Sequence, residues 1–291
     1  MRENFKDHRF NEYNLRMIDL CNEIIEEYVD SGLRLTLRQL YYQLVSRAVI
    51  ENADREYKKL SSLISKGRLC GLVDWDAIED RVRQPYKSSE FDDITDLMEV
   101  AARSYRLPRW KGQKIYAELW VEKDALAGVL RPIAQKYHIT LMVNRGYSSQ
   151  SAMYESAKRI QSSVERYEIS TGAAIFYLGD MDPSGEDMVR DIQDRLDMFG
   201  AQALVKKIAL TMEQVEEYNP PPNPTKVKDP RAAEFLKKYG NSSWEVDALP
   251  PDVLTRMLNH YFDPLIDKDK MDKIVAQEKL DIKNLRSKLE D

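Results

Sequence analysis

Apolar side chains follow two different spacings along the chain, which divide it into a helical first part and an alternating middle part. From residue 11 to about residue 110 they recur every three or four positions, which is typical of amphipathic helices. Helices are predicted over residues 14–29, 36–48 and 53–65. The second of them begins at a capping box, because Thr36 and Gln39 stand three positions apart where its apolar pattern starts.

The middle of the chain, residues 115–210, alternates short apolar runs with amphipathic segments of helical length. The apolar runs predict strands over residues 115–122, 139–144, 173–180 and 203–210. The segments between them predict helices over residues 125–137, 151–167 and 185–198. Apolar strands joined by helices indicate a parallel sheet that is covered on both faces. The predicted fold class is therefore α/β, with an additional α-helical part before the sheet.

Two irregular stretches set the predicted domain boundaries. The sequence LPRWKGQK (107–114) interrupts the helical spacing, and the proline-rich stretch 217–230 cannot be a helix or a central strand. The prediction is a helical domain over residues 1–110, an α/β domain with a C-terminal extension over 111–266, and a charged helical tail over 267–291. The weak periodicity of the tail is typical of a solvated helix, and a partner-binding helix is the alternative.

The composition is that of a globular protein. The 291 residues are 43% apolar and 32% charged, with a formal net charge of −5. No run approaches the roughly 20 apolar residues of a membrane span, and the first ten residues lack a signal-peptide core, so we expect a cytoplasmic protein without a membrane partner. Two cysteines and three dispersed histidines argue against a disulfide framework and against a Cys/His metal site. A bound metal would therefore be held by carboxylates, which favours magnesium or manganese.

The third predicted helix reverses the overall charge of the chain. Residues 55–69 hold a single acid, Glu56, and five basic residues: Arg55, Lys58, Lys59, Lys66 and Arg68. A local basic face on an acidic chain is expected of a phosphate-binding surface. Three short helices, the last of them basic, predict a winged helix-turn-helix whose basic helix enters a groove of DNA. A plain helical bundle with a solvated basic face is the alternative.

Two side chains on the second predicted helix stand apart from its apolar face. That face includes Leu40, Tyr41 and Leu44, so Tyr41 is expected to be structural. Arg38 and Tyr42 lie four positions apart on a different face, where they can touch each other. We therefore expect Tyr42, unlike its neighbour, to be available for chemistry.

Three acids follow the predicted strands. Glu122 ends the first strand, Asp180 ends the third, and Asp182 stands two residues further on in GDMDPSG. Because sites form at the carboxyl ends of parallel strands, we expect these carboxylates at one sheet edge, where their repulsion favours a bound Mg²⁺. The alternatives are a surface role for Glu122 and a phosphate site at the two aspartates. Glu245 and Asp247 either join this site or are surface acids.

Four motifs occur in a fixed order: RQLYY (38–42), VEKDAL (121–126), RGYSS (145–149) and GDMDPSG (179–185). Together they resemble the A subunit of DNA topoisomerase VI and the related meiotic double-strand-break proteins. The resemblance covers about residues 30–200. It implies a winged-helix (CAP-like) domain followed by a Toprim domain, which is a Rossmann-like parallel sheet. RGYSS lacks the proline of the family's loop, and the chain is shorter than typical A subunits.

The resemblance also implies roles for particular residues. Tyr42 matches the nucleophilic tyrosine, Arg38 the arginine beside it, and Glu122, Asp180 and Asp182 the acids that bind Mg²⁺, with Mn²⁺ as a substitute. The implied product is a DNA end joined through a 5′ phosphate to tyrosine, with a free 3′-OH. In the family the tyrosine of one protomer meets the metal site of the other, so cutting both strands of duplex DNA requires a homodimer.

Other implications concern partners and competing functions. The predicted DNA-binding residues are Arg55, Lys58, Lys59, Lys66, Arg68 and Lys123. No ATPase domain is recognisable, so strand passage would need a separate B-like subunit, and the size fits minimal A-subunit homologues of mobile elements. One alternative is a Toprim nuclease that cuts by metal-activated water and does not need Tyr42. A DNA-binding module without catalysis is the other.

Overall fold

The computed structural model describes residue 2 and residues 4–31, 33–78, 90–144, 146–225, 229 and 231–290. Arg145 of the RGYSS motif and residues 226–228 and 230 of the proline-rich stretch lie outside the described residues. Within the part that is described, no helix is long and apolar enough to cross a bilayer.

Three helices form an N-terminal unit, called here the helical unit: α1 (Glu12–Asp30), α2 (Leu37–Ser46) and α3 (Asp54–Leu69). The predicted capping box begins α2, where Thr36 and Gln39 exchange side-chain and backbone hydrogen bonds. The three helices enclose a small apolar core. After α3 the described residues up to Ile78 form two isolated bridges, Cys70 with Asn4 and Ile78 with Leu35. The three predicted helices are confirmed, and the wing stays a prediction.

The helix α4 (Ile94–Ser104) leads to a four-stranded parallel sheet of β1 (Tyr116–Val121), β2 (Thr140–Val143), β3 (Ala173–Leu178) and β4 (Ala203–Ala209). The strand order is β2-β1-β3-β4. The crossover helices are α5 (Ala127–Tyr137), α6 (Gln150–Arg166) and α7 (Pro183–Met198). The α/β prediction is confirmed for this part of the chain, and β1 and β3 lie at its centre with every residue buried.

One charged side chain lies within the central strand β1. Glu118 is fully buried and accepts hydrogen bonds from Tyr116 Oη at 3.0 Å, Trp120 Nε1 at 2.8 Å and the guanidinium of Arg159 at 3.0 and 2.9 Å. A buried carboxylate is tolerated only when its oxygens are paired in this way. The pairing ties α6 to β1.

The chain after β4 returns to the sheet. It forms α8 (Met212–Tyr218), a short hairpin of β5 (Asn223–Pro224) and β6 (Ser242–Ser243) with α9 (Ala232–Tyr239) between them, and then α10 (Pro251–Phe262). Between β6 and α10, Trp244 and Met181 exchange backbone hydrogen bonds of 2.8 and 3.0 Å. Residues 244–249, called here the acidic segment, therefore lie beside the carboxyl end of β3.

The predicted tail is the helix α11 (Lys268–Glu290), and one of its faces packs on α4. Glu278 is buried there, accepting from Arg109 Nη2 at 2.6 Å and from the backbone N–H of Leu107 at 2.9 Å. The tail is therefore attached to the segment that precedes the sheet and is only partly solvated.

Candidate functional site

The carboxyl ends of β1 and β3 lie side by side, and Glu122 and Asp180 follow them closely. The backbone N–H of Asp180 donates to Glu122 Oε2 at 3.1 Å, and the Tyr177 hydroxyl donates to the same oxygen at 3.4 Å. Burial raises the pKa of Tyr177, and the negative charges of Glu122, Asp180 and Asp182 raise it further. All three predicted acids are therefore close enough to the buried Tyr177 hydroxyl at this edge of the sheet to raise its pKa.

Asp182 has a second role, because it caps the N-terminus of α7. Its Oδ1 accepts from the backbone N–H of Gly185 at 2.7 Å and from Ser184 Oγ at 2.9 Å. A Cβ atom at Gly185 would lie far inside contact distance of the Asp180 carbonyl oxygen. Glycine is therefore required for the tight turn that places the two aspartates on either side of Met181.

Lys123 lies among the acids. Its Nζ is 2.9 Å from Asp180 Oδ1, 2.8 Å from Glu245 Oε2 and 2.9 Å from Asp247 Oδ1. Burial opposes the charged form, but these carboxylates outweigh it and raise the pKa of Lys123. Lys123 was predicted to bind DNA, and in the structure it is engaged by three carboxylates of its own chain.

The edge carries more negative charge than Lys123 balances. Burial raises the pKa of Asp180 to about 7, with the charges of Glu122 and Asp247 adding to the rise and Lys123 opposing it. By formal charge, the three carboxylates in contact with Lys123 exceed its single positive charge, and Arg38 pairs with two of them. Another cation at this edge would be electrostatically favoured.

Arg38 and Tyr42 touch each other on α2, as their spacing predicts. Arg38 Nη2 donates to Tyr42 Oη at 3.4 Å, and the guanidinium lies 5.8 Å from the centre of the phenol ring. The expectation that Tyr42 is available is wrong, because Tyr42 is 4% exposed and Tyr41 is 5% exposed. Tyr42 is covered by residues more than 200 positions away in the sequence, which the periodicity of α2 cannot reveal.

The acidic segment covers this face of α2. The Tyr42 hydroxyl donates to Glu245 Oε2 at 2.7 Å. Arg38 pairs with the same oxygen, and its Nε lies 3.0 Å from Asp247 Oδ2. Since Lys123 contacts both acids, one polar cluster joins α2 of the helical unit to the edge of the sheet.

The charges in this cluster fix the position of the protons. Burial raises the pKa of Tyr42, and the charges of Asp247 and Glu245 raise it further, against the opposing effect of Arg38. Burial also opposes ionisation of Glu245, but Lys123 and Arg38 outweigh it and lower the pKa of Glu245 to about 2. In this arrangement Tyr42 is a neutral phenol that donates to a carboxylate.

A second polar contact joins the same parts of the chain. Asn223 Nδ2 donates to Glu245 Oε1 at 3.4 Å, and Asn52 Nδ2 donates to Asn223 Oδ1 at 2.9 Å. The Tyr41 hydroxyl donates to Asn52 Oδ1 at 3.0 Å. Tyr41 is therefore linked to Glu245 indirectly, through Asn52 and Asn223, and its burial agrees with its predicted structural role.

The residues at the sheet edge fit a divalent cation by chemistry and by charge. Glu122, Asp180 and Asp182 offer carboxylate oxygen ligands, which Mg²⁺ and Mn²⁺ prefer. Among the described residues, however, no group of three or more His, Cys, Asp or Glu side chains already converges on one point. Binding a cation would therefore require these side chains to turn towards each other.

The predicted basic face is present on α3. Lys58 and Lys66 are exposed, and Arg55 and Lys59 are 70% exposed although both pair with Glu56. Arg68 has a different environment. It donates to the backbone carbonyl oxygens of Trp75 and Ile78 at 3.1 and 2.6 Å and lies 5.6 Å from the centre of the Trp75 ring, so it holds the segment after α3.

Sequence reasoning left two site residues undecided. Glu245 and Asp247 were either further members of the site or surface acids, and the structure places both in the cluster with Lys123. Asp247 is 1% exposed, which excludes the surface role. Their spacing in WEVDAL was the available signal, although the backbone there forms a short 3-10 helix over Val246–Ala248 and not an extended strand.

Neither a family model nor a curated protein matches this chain.

Proposed function

We propose that this chain is a magnesium-dependent enzyme that breaks duplex DNA by tyrosine transesterification, in the manner of the A subunit of topoisomerase VI. In this proposal the helical unit is a winged-helix (CAP-like) domain and the sheet belongs to a Toprim domain. The observation that carries it is the position of Tyr42, whose hydroxyl lies 2.7 Å from Glu245. Glu245 shares Lys123 with Asp180, so the candidate nucleophile and the acids belong to one continuous site.

The proposed reaction exchanges one phosphodiester bond for another. Tyr42 Oη attacks the phosphorus, and the bond from phosphorus to O3′ breaks. The phenol loses its proton and O3′ takes one up, so the products are a 5′-phosphotyrosyl end and a free 3′-OH. Arg38, which already donates to Tyr42 Oη, stabilises the negative charge that develops on the phenol oxygen and the phosphate.

Glu122, Asp180 and Asp182 are the residues that would hold Mg²⁺, or Mn²⁺ in its place. The bound ion supplies Lewis-acid stabilisation of a phosphate oxygen without a proton transfer. The exposed cations of α3, of which Lys58 and Lys66 are examples, bind the DNA backbone without reading its sequence.

The proposal includes the expected partners. Two copies of the chain, acting as a homodimer, would cut the two strands of a duplex. Strand passage would need a separate ATPase subunit, since the resemblance covers only the cleaving subunit. We place the activity in the cytoplasm.

Incubation of supercoiled plasmid with the protein and Mg²⁺, stopped with detergent and resolved with and without protease, tests the proposal. We expect linear or nicked DNA whose 5′ ends carry protein until protease removes it. Cut DNA with protein-free ends would overturn the tyrosine mechanism.

A hydrolytic nuclease is the second candidate, and one observation favours it. Tyr42 is 4% exposed and donates to Glu245, whereas a nuclease needs only the acids and metal-activated water. For a nuclease, Tyr42→Phe cuts plasmid at the normal rate while Asp180→Ala does not cut. The transesterase requires both side chains.

A further inference from the structure

The acidic segment (residues 244–249) lies where a DNA phosphate would have to be. In an attack on phosphorus the reacting atoms approach to about 3–3.5 Å. The Tyr42 hydroxyl is buried, with Glu245 Oε2 2.7 Å away and Arg38 Nη2 3.4 Å away. A phosphodiester cannot reach the phenol oxygen while Glu245 keeps this position.

The same segment also engages the cations that a phosphate would need. Arg38 pairs with Glu245 and Asp247, and Lys123 contacts both of these acids. A guanidinium binds carboxylates and phosphates with the same planar arrangement of donors. Two carboxylates that hold Arg38 and Lys123 at once therefore imitate the anionic oxygens of a DNA backbone.

The segment is fixed to the sheet more firmly than to the helical unit, whose apolar core it enters through the small side chain of Ala248. Val246 and Leu249 are buried in the core of the sheet, and the Val246 N–H donates to Asp180 Oδ1 at 2.9 Å. Its contacts with α2 include the charged contacts of Arg38 and the hydrogen bond of Tyr42. Polar contacts of this kind can be exchanged for phosphate contacts at little net cost, whereas the buried apolar residues cannot be moved without disrupting the core.

We propose that the acidic segment is an intramolecular mimic of the DNA backbone, which closes the site by holding Arg38, Tyr42 and Lys123 until duplex DNA separates α2 from it. This regulation rests on the proposed function. The closed form leaves Tyr42 protonated and covered, so the isolated protein is protected from reaction. Duplex DNA opens the site because its phosphates bind Arg38 and Lys123 more strongly than Glu245 and Asp247 do.

The test compares Glu245→Gln with Glu27→Gln. Glu27 of α1 pairs with Arg47, the C-cap residue of α2, so each variant loses one negative charge that faces an arginine. The first readout is binding of a short labelled DNA duplex without divalent metal. We expect Glu245→Gln to bind roughly tenfold more tightly than Glu27→Gln, within the usual range of coupling between two sites.

The second readout is nitration of tyrosine by tetranitromethane, located by mass spectrometry without DNA. We expect nitration of Tyr42 to rise severalfold in Glu245→Gln and to stay at the wild-type level in Glu27→Gln. Tyr13, which is 65% exposed, is the positive reference, and the buried Tyr41 must stay unmodified if α2 remains folded. Asp247→Asn is expected to act in the same direction and replaces Glu245→Gln if that variant does not fold.

Equal DNA affinity of the two variants overturns the mimic, whether or not nitration changes. Unchanged protection of Tyr42 in both the Glu245 and Asp247 variants overturns the closure. Neither readout requires cleavage, so the proposal can fail while Tyr42 remains the nucleophile. If Tyr42→Phe still cuts plasmid, the proposed reaction is wrong, but the two readouts still test whether the acidic segment competes with DNA for Arg38 and Lys123.

Discussion

Replacing Lys123 with methionine tests the balance of charge at the sheet edge. The ammonium contacts Asp180, Glu245 and Asp247 at 2.8–2.9 Å. At an effective dielectric constant of about 20, each pair at this distance attracts by about 6 kcal/mol, and desolvation offsets most of the sum. Breaking a buried ion pair costs about 3–5 kcal/mol. Because Asp180 has a pKa of about 7 and can take up a proton in the variant, we expect a loss near the lower limit, about 3 kcal/mol.

Urea unfolding followed by circular dichroism, with a chelator and at neutral pH, measures this loss. Lys207→Met is the matched control, because Lys207 Nζ lies at the same edge but contacts a single carboxylate, Glu186, at 2.7 Å, and the Asp180 carbonyl oxygen at 2.7 Å. We expect the control to lose less, about 1 kcal/mol. Added Mg²⁺ is expected to restore part of the stability of Lys123→Met by neutralising the same acids.

Two results would refute this reasoning about Lys123. One is a loss of stability that does not exceed that of the Lys207 control. The other is an equal effect of Mg²⁺ on the stability of both variants. It would mean that the carboxylates that Lys123 no longer neutralises do not attract a cation.

Further substitutions test other contacts. Glu118→Ala removes a buried acceptor from Arg159 and two aromatic donors, so urea unfolding is expected to show a loss of about 3–5 kcal/mol, and a loss below about 1 kcal/mol would be inconsistent with the pairing. Gly185→Ala is expected to abolish Mg²⁺-dependent plasmid cleavage while circular dichroism stays unchanged, because the turn at Asp180 must shift, and normal cleavage would contradict this. Burial opposes ionisation of Glu278, but the hydrogen bond from the Arg109 guanidinium outweighs this effect and lowers the pKa of Glu278 below its ordinary 4.5. The stability that ionised Glu278 contributes is therefore present above that pH and is lost as the pH falls below it. Glu278→Gln should lower the free energy of unfolding by about 2 kcal/mol at neutral pH and by less in acid. A difference in stability that does not depend on pH would disprove this linkage.

Local patterns predicted most of the secondary structure because the causes are local. The capping box at Thr36 and Gln39 and the apolar stripes of α1–α3 depend on residues a few positions apart. The parallel sheet was predictable because apolar strands alternate with helices, and the topology rule then placed Glu122 and Asp180 at one edge. Glu118 could not be interpreted in this way, because its partner Arg159 lies 41 positions away.

The closed state of the site depends on contacts that no local pattern contains. Tyr42 and Glu245 are 203 positions apart, and Lys123 and Asp247 are 124 positions apart. The spacing of Arg38 and Tyr42 predicted their mutual contact but not that both would be covered. Lys123 was predicted to bind DNA, and only the fold shows that acids of the same chain engage it.

The measurement that tests the central claim most directly is plasmid cleavage by Tyr42→Phe and Tyr41→Phe with Mg²⁺. Each variant removes one buried hydroxyl from neighbouring positions of α2, so their effects on folding are comparable. We expect Tyr41→Phe to leave protein covalently attached to 5′ ends of cut DNA, and Tyr42→Phe to bind the duplex without cutting it. Normal cleavage by Tyr42→Phe would contradict the assignment of Tyr42 as the nucleophile.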